Sequence, residues 1–94
     1  MLRFVWDENK NRSNRRKHGV WFEEAIRVFD DPLGILYFDK FHSTPSEERL
    51  ILIGQSGSGR VLVIVHCERD HNAIRIISAR KATPKERGIY EKGI

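Results

Sequence analysis

Residues Arg60 to Thr83, RVLVIVHCERDHNAIRIISARKAT, constrain the fold more than any other stretch, because they hold two apolar, β-branched runs, Val61–Val65 and Ile74–Ile77. Valine and isoleucine fit a pleated, half-buried surface, so both runs are predicted strands. The segment between them, Glu68 to Ala73, is polar and short enough to return the chain antiparallel as a hairpin. Charge gathers around this pair: Glu68, Arg69 and Arg75 flank the turn, while Arg80 and Lys81 stand at the far end of the second strand. A sheet decorated in this way suits a polyanion.

The other segments supply a frame for the hairpin. Leu2–Trp6 alternates apolar residues with Arg3 and reads as a short strand. Asp7 caps a predicted helix from Glu8 to about Lys17, with Gly19 as the stop and basic residues in the last turn, where the helix dipole favours them. This helix has almost no apolar stripe and contains Asn9, Asn11, Ser13 and Asn14, so packing at its ends or a bound partner must hold it. Phe22, Ala25, Ile26 and Phe29 recur at helical spacing and predict an amphipathic helix that ends at Asp30-Asp31-Pro32. Strands at Ile35–Asp39 and Leu50–Ile53 follow, separated by a polar loop from His42 to Glu48. Ser56-Gly57-Ser58-Gly59 then turns the chain into the central pair. Thr83-Pro84-Lys85-Glu86 has the N-cap, first-turn proline and capping-box glutamate of a last helix reaching about Lys92. The expected class is α+β in the order β-α-α-β-β-β-β-α, with an antiparallel sheet of four to five strands and helices mainly on one face. All 94 residues are expected to form a single domain, 1–94.

Charge narrows the partners. Seventeen Lys and Arg against thirteen Asp and Glu leave a net +4, with both ends of the chain basic and residues 21–50 acidic. Phosphate backbones favour such surfaces through counterion release. Lys10 and Lys17 share one face of the first helix with Asn14, which reads either as a solvated face or as a phosphate contact. The lone Cys67 provides no disulfide framework and reads as a small buried side chain in a reducing compartment, so the expected location is cytoplasmic. The longest apolar run falls far short of a bilayer span, and no membrane association is expected.

His42, His66, Cys67 and His71 lack metal-ligand spacing, and no nucleophile elbow or phosphate-binding loop occurs, so neither a metal nor a cofactor is expected. What remains is Arg69, Arg75, Arg80, Lys81, Glu68, His66 and Tyr90. RNA carries its own nucleophile in the 2′-hydroxyl, so a base and a charge-stabilising arginine suffice for its cleavage. Strict alternation places Arg80 on one strand face with Ile76 and Ser78, and Arg75 on the other with Ile77, Ala79 and Lys81, so these cations are not expected to line one site. Each residue also has an ordinary structural reading: Glu68 as a cross-strand partner of Arg69 or Arg75, Tyr90 as a core aromatic, His66 as a core histidine.

The order of short motifs along nearly the whole chain resembles the BrnT-type ribonuclease toxins of bacterial type II toxin-antitoxin systems. The matching pieces are Phe4-Val5-Trp6-Asp7, Lys10 with Asn14, Lys17-His18-Gly19-Val20, Phe22-Glu23-Glu24-Ala25, Val28-Phe29-Asp30-Asp31-Pro32, Glu47-Glu48-Arg49, Glu68-Arg69, Arg75 to Thr83, Glu86-Arg87 and Tyr90. Trp21 departs from the small polar helix cap common in the family, and Gly88 interrupts a helix usually richer in helix formers. The resemblance implies a RelE-like fold, RNA cleavage without metal, and a small DNA-binding, BrnA-like antitoxin encoded by an adjacent gene. With the charge reading, it assigns transition-state stabilisation to Arg80, the base to Glu68 or His66, and orientation or proton donation to Tyr90. RNA contacts fall to Arg69, Arg75, Lys81, Lys10, Lys17 and His18. The alternatives are a non-catalytic RNA- or partner-binding module and an enzyme acting on a small anionic metabolite.

Overall fold

Asp7 ends the first strand and starts the first helix by accepting hydrogen bonds from the backbone N–H groups of Asn9 and Lys10. In the computed structural model, which describes residues 2–69 and 72–93, the elements run β1 (Arg3–Val5), α1 (Glu8–His18), α2 (Phe22–Ala25), β2 (Ile35–Phe38), β3 (Arg49–Gln55), β4 (Val61–Arg69), β5 (Ala73–Lys81) and α3 (Pro84–Lys92). A 3-10 helix, Ile26–Asp30, continues α2. The expected element order holds, and the five strands form one sheet in the order β1-β5-β4-β3-β2. The sheet is mixed and not purely antiparallel, because β1 pairs parallel with β5. With α1 connecting it back over the sheet, β1 lies on the far edge of β5 and runs in the same direction. Asp70 and His71, in the predicted hairpin turn, lie outside the described residues.

Glycine is required at two positions, one for its backbone conformation and one for a close approach. Gly19 caps α1 in the left-handed region at φ 72°. A Cβ on Gly54 of β3 would meet Val28 Cγ1 at 2.8 Å, so the absence of a side chain lets the 3-10 helix lie against the sheet. The single amphipathic helix expected over Phe22–Phe29 is therefore a four-residue α-turn followed by the 3-10 segment. Its fully buried residues are Phe22, Ala25 and Val28, three apart, as the tighter helix requires.

One face of the sheet packs under α1, α2 and the 3-10 helix around Leu52, Leu62, Ile64, Ile74, Ile76 and Ala79. On the opposite face α3 covers a smaller cluster, in which Tyr90 packs on Ile53, Val63 and Ala82. Helices therefore cover both faces, with α3 alone on the second. The polar α1 is docked by two buried asparagines in place of an apolar stripe or a partner. Asn11, fully buried, accepts from Phe22 N–H and donates to Glu8 and Glu23. Its oxygen thereby does the capping that Trp21 does not supply at the start of α2. Asn14 donates to the carbonyls of Val20 and Ala79 and accepts from Ala79 N–H, tying α1 to β5.

Candidate active site on the open sheet face

Strand register decides which side chains meet. Residues directly opposite one another project to the same side of a sheet, and sides alternate along a strand. Cys67, Val65 and Val63 alternate along β4, and their β5 partners are Arg75, Ser78 and Arg80. The pairing skips Ile77, where a β-bulge shifts the register between Val65 and His66. Arg75, Ser78 and Arg80 therefore share one face, which corrects the strict alternation that separated them. Continuing across β3 and β2 places Arg49, Ile51, Ile53, Tyr37 and Ile35 on this face as well.

Three rows of side chains result. The first is Arg49, Cys67 and Arg75, with Arg69 one step beyond on β4. The buried Cys67 forms a small floor between the two arginines. The second is Tyr37, Ile51, Val65 and Ser78, which are at least partly open to solvent. The third, Ile35, Ile53, Val63 and Arg80, lies at the end covered by α3. Rows stand about 6.6 Å apart, two residues along a strand. The uncovered middle row is thus a shallow trough with cations at both ends.

The polar contacts set what each group can do. Glu47, in the β2–β3 loop, lies 3.5 Å from Arg49, 3.6 Å from Arg69 and 3.8 Å from Arg75. Arg80 grips both carboxylate oxygens of Glu86 at 2.7 and 2.8 Å and also donates to Lys81 O. That grip holds the Glu86 carboxyl at about 2. Among the described residues, three of its five guanidinium N–H donors are thereby engaged and two have no partner. Burial, and then the Glu86 carboxylate, raise the Tyr37 phenol above its usual value, while Arg80 opposes them. Tyr90 donates to Asp31 at 2.6 Å, which pushes its phenol up to about 12 and anchors α3 to the residue after the 3-10 helix.

The residues picked from sequence do not all come together. Arg69, Arg75 and Arg80 line the trough face. Glu68 and His66 pair with Ile74 and Ile76 on the opposite face, so neither is beside these arginines. His66 is buried edge-on against Phe29, its Nδ1 has no hydrogen-bond partner among the described residues, and burial lowers its pKa. Lys81 pairs with Leu62 on that same far face, and Lys10, Lys17 and His18 are exposed on α1 above it. Tyr90 is on the α3 side, with its hydroxyl committed to Asp31.

Residues 6–86 match the family described as the ribonuclease toxin BrnT of type II toxin-antitoxin systems. The chain belongs to the BrnT family. Among solved structures, it is similar to the ribonuclease toxin BrnT of Brucella abortus, with a TM-score of 0.69 and 22% identity over 88% of this chain and 99% of that one. Comparison with curated proteins finds no match. Family membership favours a ribonuclease toxin, with RNA as target and an antitoxin as partner, over the binding module and the small-metabolite enzyme. Among the described residues, no helix is long and apolar enough to cross a membrane.

On this BrnT scaffold, sequence reasoning missed Arg49, Glu47, Tyr37 and Ser78 as neighbours of the arginines. Arg49 lay one residue outside the predicted strand and Glu47 sat in a predicted loop. The adjacent Ile76 and Ile77, both apolar where alternation calls for one, were the available sign of a bulge.

Proposed function

We propose that this BrnT-family toxin cleaves RNA without a metal ion, by attack of a 2′-hydroxyl on the adjacent phosphodiester, in the trough between the arginine row and α3. The observation that carries the reading is the β-bulge at Ile77, which brings Arg75 onto the face that Arg49, Arg69 and Arg80 share, with Tyr37 and Ser78 between them. Guanidiniums match phosphate oxygens geometrically and stabilise the charge that builds on phosphorus during the attack. Tyr37 and the Ile51–Val65 floor offer a surface on which a base can stack. Arg49, Arg69 and Arg75 hold the phosphodiester, and Arg80 contributes from the other end the N–H donors that no described residue engages. The element order and the cation-lined sheet face also support a RelE-like kinship. Action on RNA in the cytoplasm, and silencing by a BrnA-like antitoxin from an adjacent gene, complete the reading; co-purification of the two products checks the partner.

The test is cleavage of a single-stranded RNA in EDTA. The expected products end in 2′,3′-cyclic phosphate and 5′-hydroxyl. Arg75→Ala should lower the rate by ~100-fold, the scale of removing one preorganised charge-stabilising group. Loss of activity in EDTA, or products ending in a 5′-phosphate, refutes the mechanism.

A further inference from the structure

Glu47 is anchored through its backbone and loosely held through its side chain. Its N–H donates to Thr44 O at 3.1 Å and to Thr44 Oγ1 at 3.0 Å, and its carbonyl accepts from Thr44 N–H at 2.9 Å. A tight turn therefore fixes where the side chain begins. The carboxylate reaches three guanidiniums at 3.5–3.8 Å, yet closes no side-chain hydrogen bond with any of them. Its side chain is about one-third exposed.

Among the described residues, Asp39 is paired with His42 Nδ1 at 2.9 Å, and three more carboxylates near the sheet are committed or misplaced. Glu86 is gripped by Arg80 and bonded to Thr83 N–H. Asp31 accepts from Tyr90 and from the backbone of Leu33 and Gln55. Glu68 is on the opposite face. Among the described residues, none donates a hydrogen bond to the Glu47 carboxylate, which stands beside the arginines that would hold the phosphate.

We infer that Glu47 is the general base of the cleavage proposed above, an assignment that rests on that reading. One Glu47 oxygen takes the proton of the 2′-hydroxyl as O2′ forms its bond to phosphorus. The P–O5′ bond breaks, and the departing 5′-oxygen takes a proton from water. The hydroxide left behind is neutralised by the proton Glu47 gives back, which restores the carboxylate. The arginines hold the non-bridging oxygens throughout.

Glu47→Gln keeps the size of the side chain and the turn's backbone bonds while removing the base. Its single-turnover cleavage should fall by ~100-fold or more, the usual contribution of a positioned base. RNA affinity should be equal or tighter, because a negative charge leaves the arginine row. The parent's rate should fall on the acidic side of its pH profile, and that limb should vanish in the variant. Glu47→Asp, which keeps a carboxylate on a shorter arm, should recover part of the rate, and Glu48→Gln should match the parent. Parental cleavage by Glu47→Gln, with or without tighter binding, overturns the assignment and leaves Glu47 as a counterion only. A parent enzyme that needs metal, or yields no cyclic phosphate, instead overturns the reading on which the assignment rests.

Discussion

Asn14→Leu should remove the joint that holds a polar helix on the sheet. The asparagine amide makes three hydrogen bonds, at 2.9 Å to Val20 O, 2.8 Å to Ala79 O and 3.2 Å from Ala79 N. Val20 and Ala79 are both fully buried, so water cannot take over the freed groups. Leaving a buried backbone donor or acceptor unpaired costs about 1–3 kcal/mol, and some relaxation of α1 offsets part of it. The expected loss is about 3–5 kcal/mol, a large share of the ~5–15 kcal/mol that keeps a small domain folded. Leucine adds apolar area against Ala79 but replaces none of the three bonds. Urea unfolding measures this directly: with a slope of about 2 kcal/mol/M, the midpoint should fall by roughly 2 M. Asn9→Ala, at an exposed position of the same helix, should stay within about 0.5 kcal/mol of the parent. A midpoint shift below ~0.5 M for Asn14→Leu would refute the argument that Asn14 anchors the helix. Asn14→Asp sharpens the test, because a carboxylate still accepts from Ala79 N–H but faces two carbonyl oxygens. That environment raises the folded-state pKa of the new acid. Its stability is therefore retained below the unfolded value and lost as pH rises through the folded one. The deficit relative to the parent should narrow on acidification, when the protonated carboxyl can donate again.

Three further outcomes follow from the contacts. Thr83→Ala should cost about 1 kcal/mol in the same unfolding assay, since Thr83 Oγ1 accepts from Glu86 N–H at 3.2 Å while Glu86 bonds back to Thr83 N–H at 2.9 Å; an unchanged midpoint would mean the cap is not holding α3. His66 is buried with its pKa below the ordinary 6.5, so the unfolded chain takes up its proton first. The stability it contributes is fully present above the unfolded pKa and is lost as pH falls below 6.5 toward the folded value. Melting temperatures at pH 8 and 5.5 should converge more closely in His66→Phe than in the parent. Arg80→Ala should lower the melting point as well as cleavage, because it frees the Glu86 carboxylate that joins Arg80 to the cap of α3; the partly exposed pair is worth about 1 kcal/mol, and an unchanged melt would show that the ion pair contributes nothing to the joint.

Local chemistry was legible in the sequence because local sterics govern it. The β-branched runs became β4 and β5, the Asp7 and Gly19 signals bounded α1, and Thr83 with Glu86 formed the expected capping box. Each depends on residues a few positions apart, and each can be read without knowing what lies across the sheet. The family motifs were equally visible in order along the chain. Tertiary structure alone decided the rest. Parallel pairing of β1 with β5 needs α1 to carry the chain back across a face. The asparagines of α1 look like weak helix formers until Val20, Phe22 and Ala79 stand opposite them. A single skipped residue, Ile77, moves Arg75 onto the face of Arg80, because side-chain direction in a strand has period two and register is set by the neighbouring strand. The same non-local pairing leaves Glu68 and His66 on the far side and brings a loop glutamate, Glu47, to three arginines from three different strands.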